Sequence, residues 1–104
     1  MADTSFRDFV LEQLAGLPAL VCKRMFGGYG LYAADVFFGI IHRGVLYFRT
    51  DENSRAAYVE QGMRPFMPGP RQSLKAYYEV PAGVLEDAEQ LQDWARRAVA
   101  AMYN

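Results

Sequence analysis

Residues 21 to 50 contain four short apolar runs, VCKRMF, YGLYA, VFFGIIH and VLYFRT, and this pattern constrains the fold more than any other feature. Each run is rich in β-branched and aromatic residues, which are typical of strands. The segments AAD at 33–35 and RG at 43–44 are predicted to be tight connections, so the runs form an antiparallel meander. Residues 36–41 are apolar on both sides, which predicts that this strand is central in the sheet.

The segment before the meander is predicted to be a helix. Ser5 and Asp8 form an acidic variant of the capping box at its start. Gly16 and Pro18 are typical of a helix end and should terminate it. One apolar face is expected from four residues at helical spacing: Phe6, Phe9, Val10 and Leu14.

Two further helices are predicted after the meander. The second begins at Asp51 or Asn53, which can cap a helix, and ends at Gly62. The third begins near Asp87, where Gln90 completes a capping box. Its buried stripe is expected to comprise Leu91, Trp94, Ala95, Ala98 and Met102, with Trp94 in the core between the helix and the sheet.

The segment between the last two helices divides into a loop and a strand. RPFMPGPRQS has three prolines and is predicted to be an irregular loop, whereas LKAYYEV is predicted to be a strand that Pro81 ends. The expected fold is therefore α+β in two layers, with about five antiparallel strands and about three helices. The order is α-β-β-β-α-β-α, or the same with one extra short strand. Residues 1–104 are expected to form a single domain.

The stretch RMFGGYGLY, residues 24–32, raises the alternative of a phosphate-binding loop. A dinucleotide fingerprint needs Gly-x-Gly-x-x-Gly before a helix, but here the third glycine is missing and a strand follows. Gly27, Gly28 and Gly30 are therefore predicted to be structural, bending or joining strands, and no cofactor is expected.

Four segments in combination make the chain resemble the N-terminal domain of the TfoX/Sxy competence-regulator family: RMFGGYGLY, LYFRTDENSR, GMRPF and YYEVP. The resemblance covers about residues 5 to 100 and implies a two-layer α+β fold in a bacterial cytoplasmic protein. It also implies regulation of DNA-uptake genes alongside a cyclic-AMP receptor protein. Full-length members carry a C-terminal domain that we expect to be absent here, and the resemblance supplies no catalytic motif.

Few residues suit nucleophilic or metal chemistry. His42 ends an apolar strand and is predicted to be a strand-end residue rather than a base. Cys22 lies beside two basic residues that could lower its pKa, although a small strand residue is the favoured interpretation. These two residues cannot close a four-ligand zinc site, so neither a metal nor an enzyme activity is expected. The carboxylate pairs at 51–52 and 86–87 are assigned to helix starts.

Composition and charge limit the classes of partner. The net charge of −1 gives no global attraction to nucleic acid or anionic membranes, although residues 23–75 hold eight Lys or Arg against four acids. A single cysteine cannot form an internal disulfide and suits a reducing cytoplasm. The acidic N-terminus does not resemble a signal peptide, and no apolar stretch is long enough for a membrane span. We therefore expect a cytoplasmic protein without a membrane partner.

The remaining candidate site is a binding surface on one face of the sheet. Strand alternation places Tyr47 with Arg49, and Lys75 with Tyr77 and Glu79. These five residues are expected to share an amphipathic face, which Arg24 can join.

Three interpretations of this face remain open. They are a solvated face with cross-strand pairs, a homodimer interface, and a platform for single-stranded nucleic acid. The apolar patch around Phe37 and Ile41 needs a cover, either a helix edge, the loop at 65–70 or a second subunit, and the subunit is slightly favoured. The expected function is a non-enzymatic regulatory module that acts through protein contacts, a second copy included. Nucleic-acid binding through the basic segment 23–75 is the alternative.

Overall fold

The computed structural model describes residues 2–25, 27–69 and 72–101. Within these ranges, six strands form one antiparallel sheet in the order β1-β2-β3-β4-β6-β5. The strands are β1 (Leu20–Met25), β2 (Gly28–Ala33), β3 (Val36–His42), β4 (Val45–Arg49), β5 (Pro65–Gly69) and β6 (Gln72–Glu79). The helices are α1 (Ala2–Gln13), α2 (Glu52–Glu60), α3 (Ala82–Leu85) and α4 (Ala88–Ala100). The predicted α+β class is confirmed, with one more strand and one more short helix than expected.

Turn geometry explains why the meander has these bounds. Ala34 and Asp35 have φ values of 50° and 67°, and Arg43 and Gly44 have 51° and 75°. Two successive positive φ angles give two-residue turns whose twist matches that of the flanking strands. The two predicted tight connections are therefore confirmed, and β3 lies inside the sheet as its apolar sequence requires.

The helices pack on one face of the sheet, which we call the inner face. The main core forms there because α1, α2, α3 and α4 each place buried residues against alternate strand positions. Its largest fully buried side chains include Phe38, Phe48, Leu14, Leu31 and Leu91. No helix in the described ranges is long and apolar enough to span a membrane.

The proline-rich segment is a strand, so the prediction of an irregular loop is wrong for its described part. Among the described strands β5 lies at an edge and pairs with β6 alone. Proline is tolerated at a sheet edge because no neighbouring strand there needs the N–H that proline lacks. Phe66 of β5 is 1% exposed and packs on the outer face, the one opposite the helices, in a second cluster with Ile40 and Tyr77. Of the three covers expected for the apolar patch, the segment at 65–70 therefore supplies part, although as a strand and not as a loop. Pro70 lies outside the described residues.

The first helix begins earlier than its capping signal suggests. α1 starts at Ala2, so Ser5 lies inside the helix, and Asp8 accepts hydrogen bonds from Arg7 instead of completing a capping box. The terminating role of Gly16 also differs, because its φ is not positive. A methyl group there would overlap the side chain of Gln92, whose amide donates to the carbonyl of Gln13. Gly16 thus lies against the end of the Gln92 side chain, next to the contact between α1 and α4.

The second helix is capped as predicted, and its cap provides a test. The Asp51 carboxylate accepts from Ser54 N at 2.8 Å, and the Ser54 hydroxyl accepts from Asp51 N at 3.0 Å. Asp51→Ala should lower the free energy of unfolding by about 1 kcal/mol, because it leaves a helix N–H without its acceptor. Urea denaturation measures the loss, with Asn53→Ala as the control because Asn53 is not the cap. Equal losses for both variants would contradict the cap assignment.

Trp94 lies at the edge of the core rather than at its centre. Its indole is half-buried and packs edge-on against Tyr58 of α2, with ring centroids 4.8 Å apart. Leu91, Ala95 and Ala98 form the buried stripe of α4 as predicted, while Met102 lies outside the described residues.

The partial exposure of Trp94 sets the size of its contribution to stability. We expect Trp94→Ala to cost about 2 kcal/mol, below the 3–5 kcal/mol typical of a fully buried aromatic residue. Thermal and urea denaturation check the value, and Arg96→Ala on the exposed side of α4 should change stability by less than about 0.5 kcal/mol. A Trp94 cost no larger than that of the control would place the indole outside the core.

Candidate binding surface

A row of aromatic rings with a cation at each end crosses the outer face. Lys23 Nζ lies 5.0 Å from the ring centroid of Tyr32, and the Tyr32 and Phe37 centroids are 5.2 Å apart. The Phe37 and Tyr77 centroids are 5.4 Å apart, and Arg49 Cζ lies 5.8 Å from the Tyr77 centroid. Both cations are within the range of cation–π attraction. We call these five residues the outer row.

A β-bulge between β2 and β3 brings two of these rings together. Leu31 pairs with Gly39, but the next residue, Tyr32, pairs with Phe37, so Phe38 is the extra residue of the bulge. Phe37 therefore faces the outer row. Phe38 instead points into the main core, where it is 0% exposed and its ring centroid lies 5.6 Å from that of Phe48.

A second group of rings borders the outer row. The Phe66 centroid lies 4.7 Å from that of Tyr47 and 5.2 Å from that of His42, which meets it edge-on. His42 therefore ends its strand as predicted and packs against an aromatic ring. β5 covers this end of the outer face, while Tyr32 and Phe37 at the other end remain half-buried.

Burial favours the neutral form of two phenols on the outer face, those of Tyr77 and Tyr47. Burial raises the pKa of Tyr77, and a hydrogen bond with Arg49 partly opposes that shift. Burial also raises the pKa of Tyr47, with the charge of Glu79 acting in the same direction. The Tyr77 hydroxyl donates to the Phe37 carbonyl at 3.3 Å, which ties β6 to β3 beneath the row.

Four of the sequence-predicted face residues do lie together. Tyr47 pairs with Glu79 and Arg49 pairs with Tyr77 across β4 and β6, so these four share the outer face. Lys75 is exposed on β6, but the register between β5 and β6 shifts between Pro65 and Phe66, so strand alternation does not place Lys75 on the face of Tyr77.

Arg24 does not join this face, which corrects the sequence-based prediction. It pairs with Tyr29, whose ring lies in the main core, so Arg24 is on the inner side of β1. Its neighbour Lys23 takes the outer position instead. Sequence reasoning missed Lys23 and Tyr32, because their faces depend on the hairpin register. It expected Phe37 in an apolar patch with Ile41, but Ile41 lies in the main core and is 0% exposed.

The Arg49 side chain is half-buried within the outer face and is not a freely exposed charge. Its Nε atom is buried and has no hydrogen-bond partner in the part of the chain that the structure describes. Charge reversal at Arg49 would place a carboxylate against Tyr77 in this confined site, where an unpaired charge is costly. Charge reversal at Arg49 would therefore disturb the fold as well as the surface, and Tyr32 is the better position for a test.

The three glycines each have a local structural role. Gly27 has a φ of 75°, which a residue with a side chain rarely adopts. A methyl group at Gly28 would overlap the Ile41 carbonyl, and one at Gly30 would overlap the Met25 sulfur and press on Phe37. The hairpin between β1 and β2 therefore needs glycine for close packing as well as for its turn.

Cys22 does not have the electrostatics of an activated thiol. Its side chain is half-buried against the main core, and burial raises its pKa, although the charge of Arg7 partly opposes the shift. In the described residues, no group of three or more His, Cys, Asp or Glu side chains is placed to hold a metal ion.

Comparison with protein-family models decides what the chain is related to. The model of the TfoX N-terminal domain matches residues 12–102. The chain belongs to the TfoX N-terminal domain family. The resemblance inferred from four short motifs is therefore confirmed over most of the chain. The comparison with curated proteins gives no match.

In this member of the TfoX N-terminal domain family, two of the quoted motifs connect neighbouring elements of secondary structure. RMFGGYGLY spans the β1–β2 hairpin, and LYFRTDENSR runs from β4 into the cap of α2. In the second motif Arg55 Nε donates to the Thr50 hydroxyl at 3.0 Å, and that hydroxyl donates to the Ala76 carbonyl at 2.8 Å. These motifs therefore stabilise the scaffold that presents the outer row.

Proposed function

We propose that this chain is a non-enzymatic regulatory module that binds a protein partner through the outer face of its sheet. Membership in a family associated with competence regulation supports the regulatory class. The observation that carries the proposal is the outer row, a set of aromatic rings and cations on the face that the helices leave open. Tyrosine, phenylalanine and arginine are enriched where proteins meet other proteins.

The uncovered end of the outer row is the part best suited to a partner. Phe66 covers Tyr47 and His42, whereas Tyr32 and Phe37 are half-buried and Lys23 is exposed. Flat, rigid rings bury large areas at a small cost in side-chain entropy, so such residues act as anchors in interfaces. A partner would complete the burial of these rings, and an acidic rim on it would complement Lys23.

The proposal of a non-enzymatic module is supported by the surroundings of His42 and Cys22, the side chains that a general base and a nucleophile would use. His42 packs edge-on against Phe66, and burial raises rather than lowers the pKa of Cys22. Neither arrangement is that of a general base or an activated nucleophile.

The proposal is tested by capture experiments with a matched pair of variants. Tyr32→Ser removes a half-buried ring from the outer face, and Phe9→Ser removes a ring that is 39% exposed on the helix layer. Immobilised wild-type and variant chains are exposed to a nuclease-treated lysate of the organism that encodes them. We expect wild type and Phe9→Ser to retain the same protein, and Tyr32→Ser to lose it. Equal capture by all three chains would contradict the proposal.

Nucleic-acid binding is the second candidate, and one observation favours it. Lys23 lies over the Tyr32 ring, and a cation beside an aromatic ring is a common platform for unpaired bases. The buried state of Tyr77, which is 5% exposed, leaves fewer rings free for stacking. Binding to a pool of single-stranded RNA and DNA, measured at several salt concentrations, separates the candidates. Strong binding that weakens steeply with salt and requires Tyr32 would favour nucleic acid over a protein partner.

A further inference from the structure

The two edges of the sheet differ in how open they are to another strand. β5 forms one edge and carries Pro65 and Pro68, which lack the N–H that an added strand would need. β1 forms the other edge, has six residues and contains no proline. Within the described ranges β1 pairs with β2 alone, so its second side is open.

The hairpin register fixes which backbone groups of β1 point away from β2. Ala34 N donates to the Ala19 carbonyl at 3.2 Å, and antiparallel pairs alternate between bonded and non-bonded positions. The N–H and C=O groups of Val21, Lys23 and Met25 therefore point toward β2. The groups that point outward are those of Leu20, Cys22 and Arg24.

We propose that this edge pairs with β1 of a second copy of the chain, antiparallel and about a two-fold axis that passes beside Cys22. Leu20 then pairs with Arg24 of the second copy, and Cys22 faces its own equivalent. All three outward-pointing residues of each strand take part in the ladder. The two sheets join into one continuous sheet through the β1 edge, which shares Lys23 with the outer row but leaves its aromatic rings uncovered.

Charge and exposure select this register over its neighbours. Lys23 comes to lie opposite Val21 of the second copy, so its aliphatic stem can cover a valine that is 45% exposed. A shift of two residues one way would set Lys23 against its own equivalent, and like charges directly opposite each other are destabilising. A shift the other way leaves Arg24 outside the ladder. The sequence of β1 is therefore self-complementary in one register.

Introducing a charge at position 21 tests this register. The stability of the monomer should change little, because the Val21 side chain is 45% exposed. Val21→Glu places a carboxylate opposite Lys23 of the second copy, and Val21→Lys places a like charge there. We expect sedimentation at several concentrations to show about threefold tighter self-association for Val21→Glu and a comparable weakening for Val21→Lys, relative to wild type. Identical association of the three chains would overturn the proposal.

The backbone hydrogen bonds of the proposed pairing are tested at Arg24, whose N–H points outward. Arg24→Pro removes this donor and should weaken self-association about tenfold, whereas Arg24→Gln removes the charge and keeps the donor. Melting temperatures confirm that both variants fold. If Arg24→Pro does not fold, the outcome of the two Val21 variants decides the proposal.

Cys22 provides a direct geometric probe because the chain has one cysteine. In the proposed register the two Cys22 Cα atoms lie about 5.5 Å apart, within reach of a disulfide. Copper–phenanthroline with oxygen takes two electrons and two protons from the pair of thiols, and one S–S bond forms. We expect faster cross-linking in native buffer than in urea, and slow cross-linking of Arg24→Pro. Cross-linking no faster than in urea would overturn the proposal. A strictly monomeric chain whose β1 edge binds an alternating Glu-Val peptide would also overturn the proposal, because the edge would then pair with a strand of another protein.

Discussion

Phe66→Ala is expected to lower the free energy of unfolding by about 3–5 kcal/mol, the range for a fully buried aromatic residue. Phe66 is 1% exposed although it lies on an edge strand with two described prolines. Its ring covers Tyr47 and His42 and belongs to the cluster with Ile40 and Tyr77. Removing it would leave a cavity under β5 and uncover this end of the outer face.

Urea denaturation measures this loss, and Met67→Ala is the matched control on the same strand. Met67 is 59% exposed, so its truncation should change stability by less than about 0.5 kcal/mol. A Phe66→Ala loss as small as that of the control would mean that β5 does not cover the sheet in solution. A second subunit would then be the better candidate for the cover.

Gly28→Ala is expected to cost about 3 kcal/mol, which is large for a single added methyl group. The new Cβ would overlap the Ile41 carbonyl, and main-chain atoms of the neighbouring strand cannot move aside as a side chain can. The hairpin between β1 and β2 would have to shift against β3. The cost comes from packing and not from a lost ligand, in agreement with a structural role for the glycine-rich stretch.

Gly83→Ala is the control for this prediction. Gly83 lies in α3, and no atom lies within 4 Å of the position that its Cβ would occupy. Because alanine favours a helix more than glycine does, this change should be neutral or stabilise by up to about 1 kcal/mol. Unfolding curves in urea compare the two variants. A Gly28→Ala chain as stable as the control would contradict the close approach of β2 and β3.

The elements whose ends carry turn or cap chemistry could be predicted from the sequence. The bounds of β3 and β4 follow from two-residue turns, and α2 begins at Glu52 because the carboxylate of Asp51 caps its first turn. β5 could not be predicted in the same way. Its prolines are typical of loops, and only an edge position with a buried Phe66 makes a strand favourable there.

The candidate site was only partly predictable, because face assignments need a register. The sequence places Tyr47 and Arg49 on one face by simple alternation, and β4 is regular enough for this to hold. Arg24 and Lys23 are adjacent, so an error of one residue in the hairpin register exchanges their faces. The bulge at Phe38 likewise changes which phenylalanine meets Tyr32, and no local signal in VFFGIIH marks it.

A protein partner is proposed to bury Tyr32 and Phe37, the rings at the uncovered end of the outer row. Hydroxyl-radical footprinting measures this burial most directly, because oxidation of aromatic side chains reports their exposure. The chain is footprinted alone and then bound to the protein that it captures. We predict protection of Tyr32 and Phe37, with no change at Phe9 and Trp94 on the helix layer. Protection of Phe9 or Trp94, with Tyr32 and Phe37 oxidised as in the free chain, would contradict the account.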